Sequence, residues 1–113
     1  MTDKAKKYLS DIQYAISLIE NFLQDMENYS SFATDLKTQS AIERQLGIIG
    51  EAANKFRQED SNVILSNTKQ IVDFRNRVIH SYDNIDTTIV WTIVKNHLPI
   101  LKNEIDTMLG TEN

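Results

Sequence analysis

The chain alternates between stretches whose apolar residues recur every three or four positions and shorter polar stretches that interrupt this spacing. The first periodic stretch begins at Ala5. Its apolar positions are Tyr8, Leu9, Ile12, Ala15, Ile16, Ile19, Phe22, Leu23 and Met26. Steps of three and four place these side chains on one face of an amphipathic α-helix. The spacing therefore predicts a first helix of about six turns.

Two more periodic stretches follow the first. Polar residues 28–31 interrupt the pattern, and either Thr34 or Asp35 can cap a second helix. The apolar face of that helix consists of Ala41, Ile42, Leu46, Ile49, Ala53 and Phe56. The polar segment 57–67 is interpreted as a connection with one short helical turn. A third helix is predicted from Thr68 to a point between His80 and Asn84.

The last helix is predicted to begin at a cap formed by Asp86. Its apolar face consists of Ile89, Val90, Ile93, Val94, Leu98, Leu101, Ile105 and Met108. Four amphipathic helices with short connections predict an all-α, antiparallel four-helix bundle of the up-and-down type, with one short extra helical turn. At this length, residues 1–113 are expected to form a single domain.

Four residues disturb the helical pattern. Gly47 and Gly50 lie inside the second helix, where each costs about 1 kcal/mol relative to alanine. Such a cost predicts that a neighbouring helix approaches closely there. Pro99 removes one backbone hydrogen bond from the last helix and predicts a kink, while Gly110 is a stop signal.

Composition excludes several classes of protein. The chain of 113 residues has no cysteine, which excludes a disulfide scaffold, a cysteine-based zinc site and a thiol nucleophile. With only 3 glycines and 1 proline, a turn-rich β-protein is not expected. No apolar run approaches the roughly 20 residues of a membrane span, and no signal-peptide core is present. We therefore expect a soluble, cytoplasmic protein without membrane association.

Positive charge is concentrated on the third predicted helix. The whole chain has a formal net charge of −4. Between residues 67 and 82, however, Lys69, Arg75 and Arg77 stand against a single acid, Asp73. This segment forms a local patch that attracts anions on an otherwise acidic surface.

The same helix contains an arginine, a histidine five residues later and a tyrosine two residues after that: Arg75, His80 and Tyr82. Positions five apart on a helix are rotated by about 140° and separated by about 7.5 Å, so Arg75 and His80 do not share a face. They can converge if the helix ends or distorts near His80, or if a second copy of the segment approaches across a two-fold axis.

These residue types suit the cleavage of a phosphodiester bond. An unperturbed imidazole changes its protonation state near neutral pH, so His80 suits the role of base or acid. Arg75 remains charged and can stabilise a phosphorane through paired hydrogen bonds. Asn76 can orient the imidazole or bind phosphate, and Arg77 is expected to contact backbone phosphate or an acidic side chain.

The chain resembles the HepT-like branch of the HEPN superfamily in three segments. These are Arg-Asn-Arg-Val-Ile-His-Ser-Tyr-Asp-Asn-Ile-Asp, Ala41-Ile42-Glu43-Arg44 and the string from Ile48 to Ala53. The members of this branch are the toxins of type VII HepT/MntA toxin–antitoxin pairs. The resemblance covers nearly the whole chain. It implies a helical homodimer that acts as a metal-independent endoribonuclease on RNA, with two motifs meeting at the dimer interface. It also implies a minimal nucleotidyltransferase antitoxin, similar to MntA, that transfers AMP from ATP onto Tyr82.

Other readings of the same residues remain open. The positive helix can belong to a non-catalytic module that binds a nucleotide or a partner protein, or the chain can be a purely structural helical dimer. His97 lies among apolar residues and is interpreted as structural, and Glu51 is a weaker candidate for the antitoxin contact or the cleft. Two histidines without a recognisable ligand spacing do not predict a metal site, and no cofactor is expected.

Overall fold

Helices form all the regular secondary structure in the part of the chain that the computed structural model describes. These residues are 1–26, 28–80 and 86–111, without the side chains of 78–80 and 111. The helices are α1 (Asp3–Phe22), α2 (Tyr29–Ala33), α3 (Leu36–Glu59), α4 (Lys69–His80), α5 (Thr87–Thr92) and α6 (Leu98–Thr111), with a π-helical turn at Ile93–His97. The expected all-α class is confirmed.

Among the described helices, α1, α3 and α5 begin at residues whose side chains cap the backbone, as does the short helix α2. The Thr2 hydroxyl accepts a hydrogen bond from the Ala5 N–H, so α1 starts two residues earlier than expected. The carboxylate of Asp35 accepts one from the Thr38 N–H, and that of Asp86 accepts one from the N–H two residues further on. These contacts satisfy N–H groups that have no partner inside the helix. The cap predicted at Asp86 is confirmed, and of the two candidates Thr34 and Asp35, Asp35 is the cap of α3.

The long helices lie antiparallel to one another. The Thr2 hydroxyl at the start of α1 donates to a carboxylate oxygen of Glu59 at the end of α3, over 3.3 Å. On the other side of α1, Gln13 binds Asp106 over 2.7 Å, whereas Glu20, further along, binds a lysine nearer the start of α6. The helix α1 therefore runs antiparallel to both α3 and α6, as an up-and-down bundle requires.

The apolar faces of these helices meet in one core. Its largest fully buried side chains are Phe32, Phe56, Leu9, Ile12, Ile16, Ile19, Ile42, Leu46, Ile49, Ile71, Ile93 and Leu101. The faces predicted for the first, second and last helices supply most of this set. Burial of each such side chain stabilises the fold by about 1.5–3 kcal/mol.

The short extra helix lies at Tyr29–Ala33, whereas the sequence placed it in segment 57–67. The Asn28 side chain accepts a hydrogen bond from the Ser31 N–H and so starts this helix. Phe32 is fully buried and contacts Trp91 of α5, with ring centroids 5.3 Å apart. Residues 60–68 contain no helix.

Pro99 disturbs the last helix in a specific way. The Leu98 N–H donates to the carbonyl of Ile93, five residues earlier, which makes the turn before the proline a π-helix. A proline ring inside a regular helix would clash with the carbonyl four residues before it. The wider turn accommodates the ring, so α5, the π-turn and α6 follow one another without a loop. None of the helices in the described ranges has both the length and the apolar character to cross a membrane.

Candidate functional site

Four of the predicted site residues, Arg75, Asn76, Arg77 and His80, lie on α4, which is held against α3 by its apolar face. Ile71 is fully buried and Phe74 is 3% exposed. On the opposite side, the ammonium group of Lys69 forms an ion pair with the carboxylate of Asp73 over 3.0 Å. The helix therefore has one buried face and one charged face, and Arg75 lies at the boundary between them.

Arg75 is partly buried because its side chain crosses α3 at a glycine. A methyl group at Gly50 would lie 3.1 Å from the Arg75 Cβ, 3.6 Å from its Cδ and 3.3 Å from the carbonyl oxygen of Ile71. The absence of a side chain at residue 50 thus lets the two backbones approach and the arginine stem lie flat on α3. The close approach predicted at Gly50 is confirmed. At Gly47, no described atom lies within 4 Å of the corresponding position.

The guanidinium of Arg75 reaches its neighbour on the same helix. Its Nη1 donates to Oδ1 of Asn76 over 3.4 Å, a long hydrogen bond that leaves Asn76 exposed to solvent. A guanidinium carries five N–H donors in a planar fork, and this contact within the described residues engages one of them weakly. The structure therefore brings Arg75 and Asn76 together on a solvent-accessible surface.

Arg77 is exposed and acts over a longer distance. Hydrogen bonds from the Thr88 hydroxyl and N–H are the main cause that lowers the pKa of the Asp86 carboxyl, and the charge of Arg77 adds to this effect. Arg77 therefore lies close enough to the start of α5 to interact electrostatically with an acid. The contact with a phosphate or an acidic side chain that the sequence suggested for Arg77 remains a prediction.

The other two motif residues are only partly described. His80 is the last residue of α4, which agrees with the predicted end of this helix, but its side chain is outside the described part of the structure. Tyr82 lies outside the described residues altogether. The roles assigned to His80 and Tyr82 therefore remain predictions.

Glu43 is a titratable residue near this surface that sequence reasoning did not single out. It lies seven residues before Gly50 on α3, which places both on the same helical face. Partial burial raises the pKa of its carboxyl. The only sequence signal was its position in the string Ala41-Ile42-Glu43-Arg44. Within the described ranges, no group of three or more histidine, cysteine, aspartate or glutamate side chains is arranged to hold a metal ion.

His97 has a structural contact. Its Nδ1 lies 2.7 Å from Oδ1 of Asn67, and the imidazole is half-buried. Asn67 has a left-handed backbone, with φ of 63°, in the loop before α4. The contact therefore ties this loop to the π-turn and helps to fix the start of the helix that carries Arg75.

Comparisons with known proteins agree with the resemblance seen in the motif. The family model described as "Ribonuclease HepT-like" matches residues 12–108. A protein of Thermococcus cleftensis named "Probable ribonuclease HepT" is 35% identical over 105 residues, which cover 89% of this chain and 92% of that protein. A protein of Methanocaldococcus jannaschii whose name also describes an RNase is 35% identical over 105 residues, which cover 89% of this chain and 93% of that protein. No solved structure shows significant similarity to the chain. The chain therefore belongs to the HepT-like ribonuclease family.

Proposed function

We propose that this chain is the cytoplasmic toxin of a type VII toxin–antitoxin pair and cleaves RNA internally without a metal ion. Arg75 and His80 are its catalytic residues, and Asn76 and Arg77 support RNA binding. The observation that carries the proposal is the placement of Arg75, whose stem is held against Gly50 and whose guanidinium reaches the exposed Asn76. Family membership over residues 12–108 supports the reaction class.

The proposed reaction needs three events at one phosphodiester. An unprotonated His80 removes the proton from the ribose 2′-hydroxyl, and the 2′-oxygen attacks the phosphorus. Arg75 binds the non-bridging oxygens and stabilises the extra negative charge of the phosphorane. The bond to the 5′-oxygen then breaks, and a protonated histidine supplies the proton to that oxygen. The products are a 2′,3′-cyclic phosphate and a free 5′-hydroxyl.

A homodimer is part of this proposal because of the spacing in the motif. Residues five apart on α4 point in directions that differ by about 140°. Two copies of the helix that meet across a two-fold axis place the arginine of one near the histidine of the other. Two His80 residues in one cleft also provide a base and an acid at the same time, which one imidazole could supply only in sequence.

Regulation by a partner completes the proposal. A nucleotidyltransferase antitoxin similar to MntA transfers AMP to Tyr82: the phenol oxygen attacks the α-phosphorus of ATP and pyrophosphate leaves. The resulting phosphodiester carries a negative charge. Two residues beyond His80, this charge competes with RNA for Arg75, so the modified toxin is inactive.

The test uses purified chain and single-stranded RNA in the presence of EDTA. The wild type is expected to produce fragments with 2′,3′-cyclic phosphate ends, and Arg75→Ala and His80→Ala are expected to lower the rate at least about 100-fold. Circular dichroism and sedimentation should show that both variants remain helical and dimeric. RNA binding without cleaved ends in the wild type would instead favour a non-catalytic binding module. Full cleavage by both variants would reject the assigned site.

A further inference from the structure

A groove lies beside α4, between the end of α3 and the loop that joins the two helices. Its volume is about 600 Å³, which is within the usual range for a small-ligand site of roughly 300–1,000 Å³. The described residues that line it are Ala53, Asn54, Phe56, Arg57, Ser61, Val63, Ile64, Leu65, Asn67, Thr68, Lys69, Val72 and Asp73. We refer to it below as the α3–α4 groove.

The loop wall of the α3–α4 groove is held in place by hydrogen bonds within the chain. The backbone N–H and the hydroxyl of Ser66 donate to the two carboxylate oxygens of Glu104 over 2.7 Å and 2.6 Å. The Thr68 hydroxyl donates to the carbonyl of Leu65 over 3.1 Å. Because Asn67 between them also contacts the π-turn, the wall does not need a ligand to order it, and binding there would cost little conformational entropy.

The chemistry of the α3–α4 groove combines an apolar floor with a cationic rim. Phe56 and Leu65 are buried, and Val72 packs against the core. Arg57 and Lys69 stand at the rim, on the ends of the two helices, and both are exposed. Asp73 also lines the groove and its carboxylate pairs with the Lys69 ammonium over 3.0 Å, so the lining carries one net positive charge. On a chain with a net charge of −4, this positive rim beside an apolar floor matches a ligand with a flat apolar part and a negative charge.

An exposed isoleucine lies in the wall of the α3–α4 groove. The Ile64 residue is 85% exposed, which is the highest value among the large hydrophobic residues of the described chain. An isolated apolar residue on a surface needs no explanation, but this one forms part of the wall of a groove. It is therefore positioned to cover the apolar part of a ligand that enters.

The α3–α4 groove and the proposed catalytic surface lie along the same pair of helices. On α4, Lys69 and Asn76 are seven residues apart and therefore share a face. On α3, Arg57 lies seven residues after Gly50, against which Arg75 packs, at an axial distance of about 10 Å. The rim cations and Arg75 thus follow one seam between the two helices, and a polyanion can contact both.

We propose that the α3–α4 groove binds one unpaired nucleotide of the RNA substrate, adjacent to the phosphodiester held at Arg75. The base lies on the apolar floor under Ile64, and its phosphate contacts Arg57 and Lys69. This inference rests on the proposed function, since it places the same RNA strand along both sites. A nucleotide fits better than a peptide because an RNA strand can present one phosphate to Arg75 and another to the rim cations, about 10 Å away along α3.

The test compares two double variants with equal loss of charge. Arg57→Ala/Lys69→Ala removes the rim cations, and the control Lys37→Ala/Lys55→Ala removes two exposed lysines from α3 that do not line the groove. Each is combined with His80→Ala, and binding to a fluorescent single-stranded RNA is measured at several salt concentrations. The groove variant should bind about tenfold more weakly at about 0.1 M salt, with a shallower salt dependence, while the control stays within about twofold. Equal affinities of the two variants would overturn the proposal.

Two further measurements separate this inference from the proposed function. Ile64→Asp, at an exposed position that the fold does not need, should weaken RNA binding without lowering the melting temperature. With His80 intact, the rim variant should lose kcat/KM on an oligonucleotide but keep it on a dinucleotide, which spans only the cleaved phosphate. If the wild type binds RNA through Arg57 and Lys69 without cleaving it, the groove proposal holds and the proposed function fails. If the wild type cleaves RNA and the rim variant binds RNA as tightly as the wild type, the proposed function holds and the groove proposal fails.

Discussion

Arg75 of α4 packs directly on Gly50 of α3, so closely that a methyl group on the glycine would push its neighbours away by a few tenths of an ångström. Such a methyl group would lie 3.1 Å from the Arg75 Cβ and 3.3 Å from the Ile71 carbonyl oxygen. The carbonyl oxygen is part of the α4 backbone, and a Cβ is bonded directly to the backbone. Both atoms can therefore move away only if the helix itself moves. This contact therefore fixes the proposed catalytic arginine relative to the core.

The two helical glycines should respond differently to alanine. Gly50→Ala gains helix propensity but pushes α4 outward, and we expect the free energy of unfolding to fall by about 1–2 kcal/mol. Gly47→Ala, which meets no described atom within 4 Å, should raise it by up to about 1 kcal/mol. Urea unfolding measures both. RNA cleavage should fall in the first variant and persist in the second, and equal behaviour of the two would contradict the role of the contact.

The loop before α4 should be sensitive to the conformation of Asn67. Alanine at this position must adopt a positive φ and also loses the contact with His97, so Asn67→Ala should destabilise the fold by about 1–3 kcal/mol. Asn67→Gly tolerates the backbone and should lose less. Thermal unfolding of the two variants checks this order, and a glycine variant less stable than the alanine variant would contradict it.

The N-terminus of α3 should weaken in acid. Hydrogen bonds from the hydroxyl and N–H of Thr38 hold the pKa of the Asp35 carboxyl below its ordinary value. A lowered folded-state pKa stabilises the fold above the unfolded pKa, which is near 4, and this stabilisation is lost as the pH falls through the folded value. Asp35→Asn keeps a capping oxygen but does not titrate. Between about pH 6 and about pH 3 the variant should lose less stability than the wild type in urea unfolding. An identical loss would contradict the assignment.

Regulation at Tyr82 predicts a separation of toxicity from neutralisation. Phenylalanine lacks the oxygen that accepts AMP but is not required for proton transfer in the proposed reaction. Tyr82→Phe should therefore inhibit growth like the wild type and escape rescue by a co-expressed nucleotidyltransferase. Intact-mass measurement should show AMP on the wild-type chain alone. Rescue of the variant, or AMP on another residue, would exclude Tyr82 as the site of control.

Local signals in the sequence predicted much of the fold. Asp35 and Asp86 were recognisable as caps because a short acidic side chain before a periodic stretch satisfies free N–H groups. The cost of a glycine inside a helix predicted a close approach at both Gly47 and Gly50; the prediction is confirmed at Gly50 and wrong at Gly47, where no described atom lies within 4 Å. The predicted disturbance at Pro99 occurs as a π-turn, a form that the residue type alone does not determine.

Features that depend on tertiary packing were not predictable from the sequence. The helix at Tyr29–Ala33 has only five residues, too few for a period to be visible, and it is held by contacts of Phe32 with Trp91. The partial burial of Glu43 depends on what packs beside α3. The α3–α4 groove likewise requires the loop anchored by Ser66, whose partner Glu104 is 38 residues away in sequence.

The central claim is that Arg75 and His80 of different protomers form one RNA-cleaving site, and subunit complementation tests it most directly. Arg75→Ala and His80→Ala chains with different tags are co-expressed, and the doubly tagged dimer is isolated and incubated with single-stranded RNA. We expect each homodimer to be inactive and the mixed dimer to cleave RNA, because one intact arginine and one intact histidine meet across its two-fold interface. A mixed dimer as inactive as both parents, or a doubly tagged species that never forms, would contradict the account.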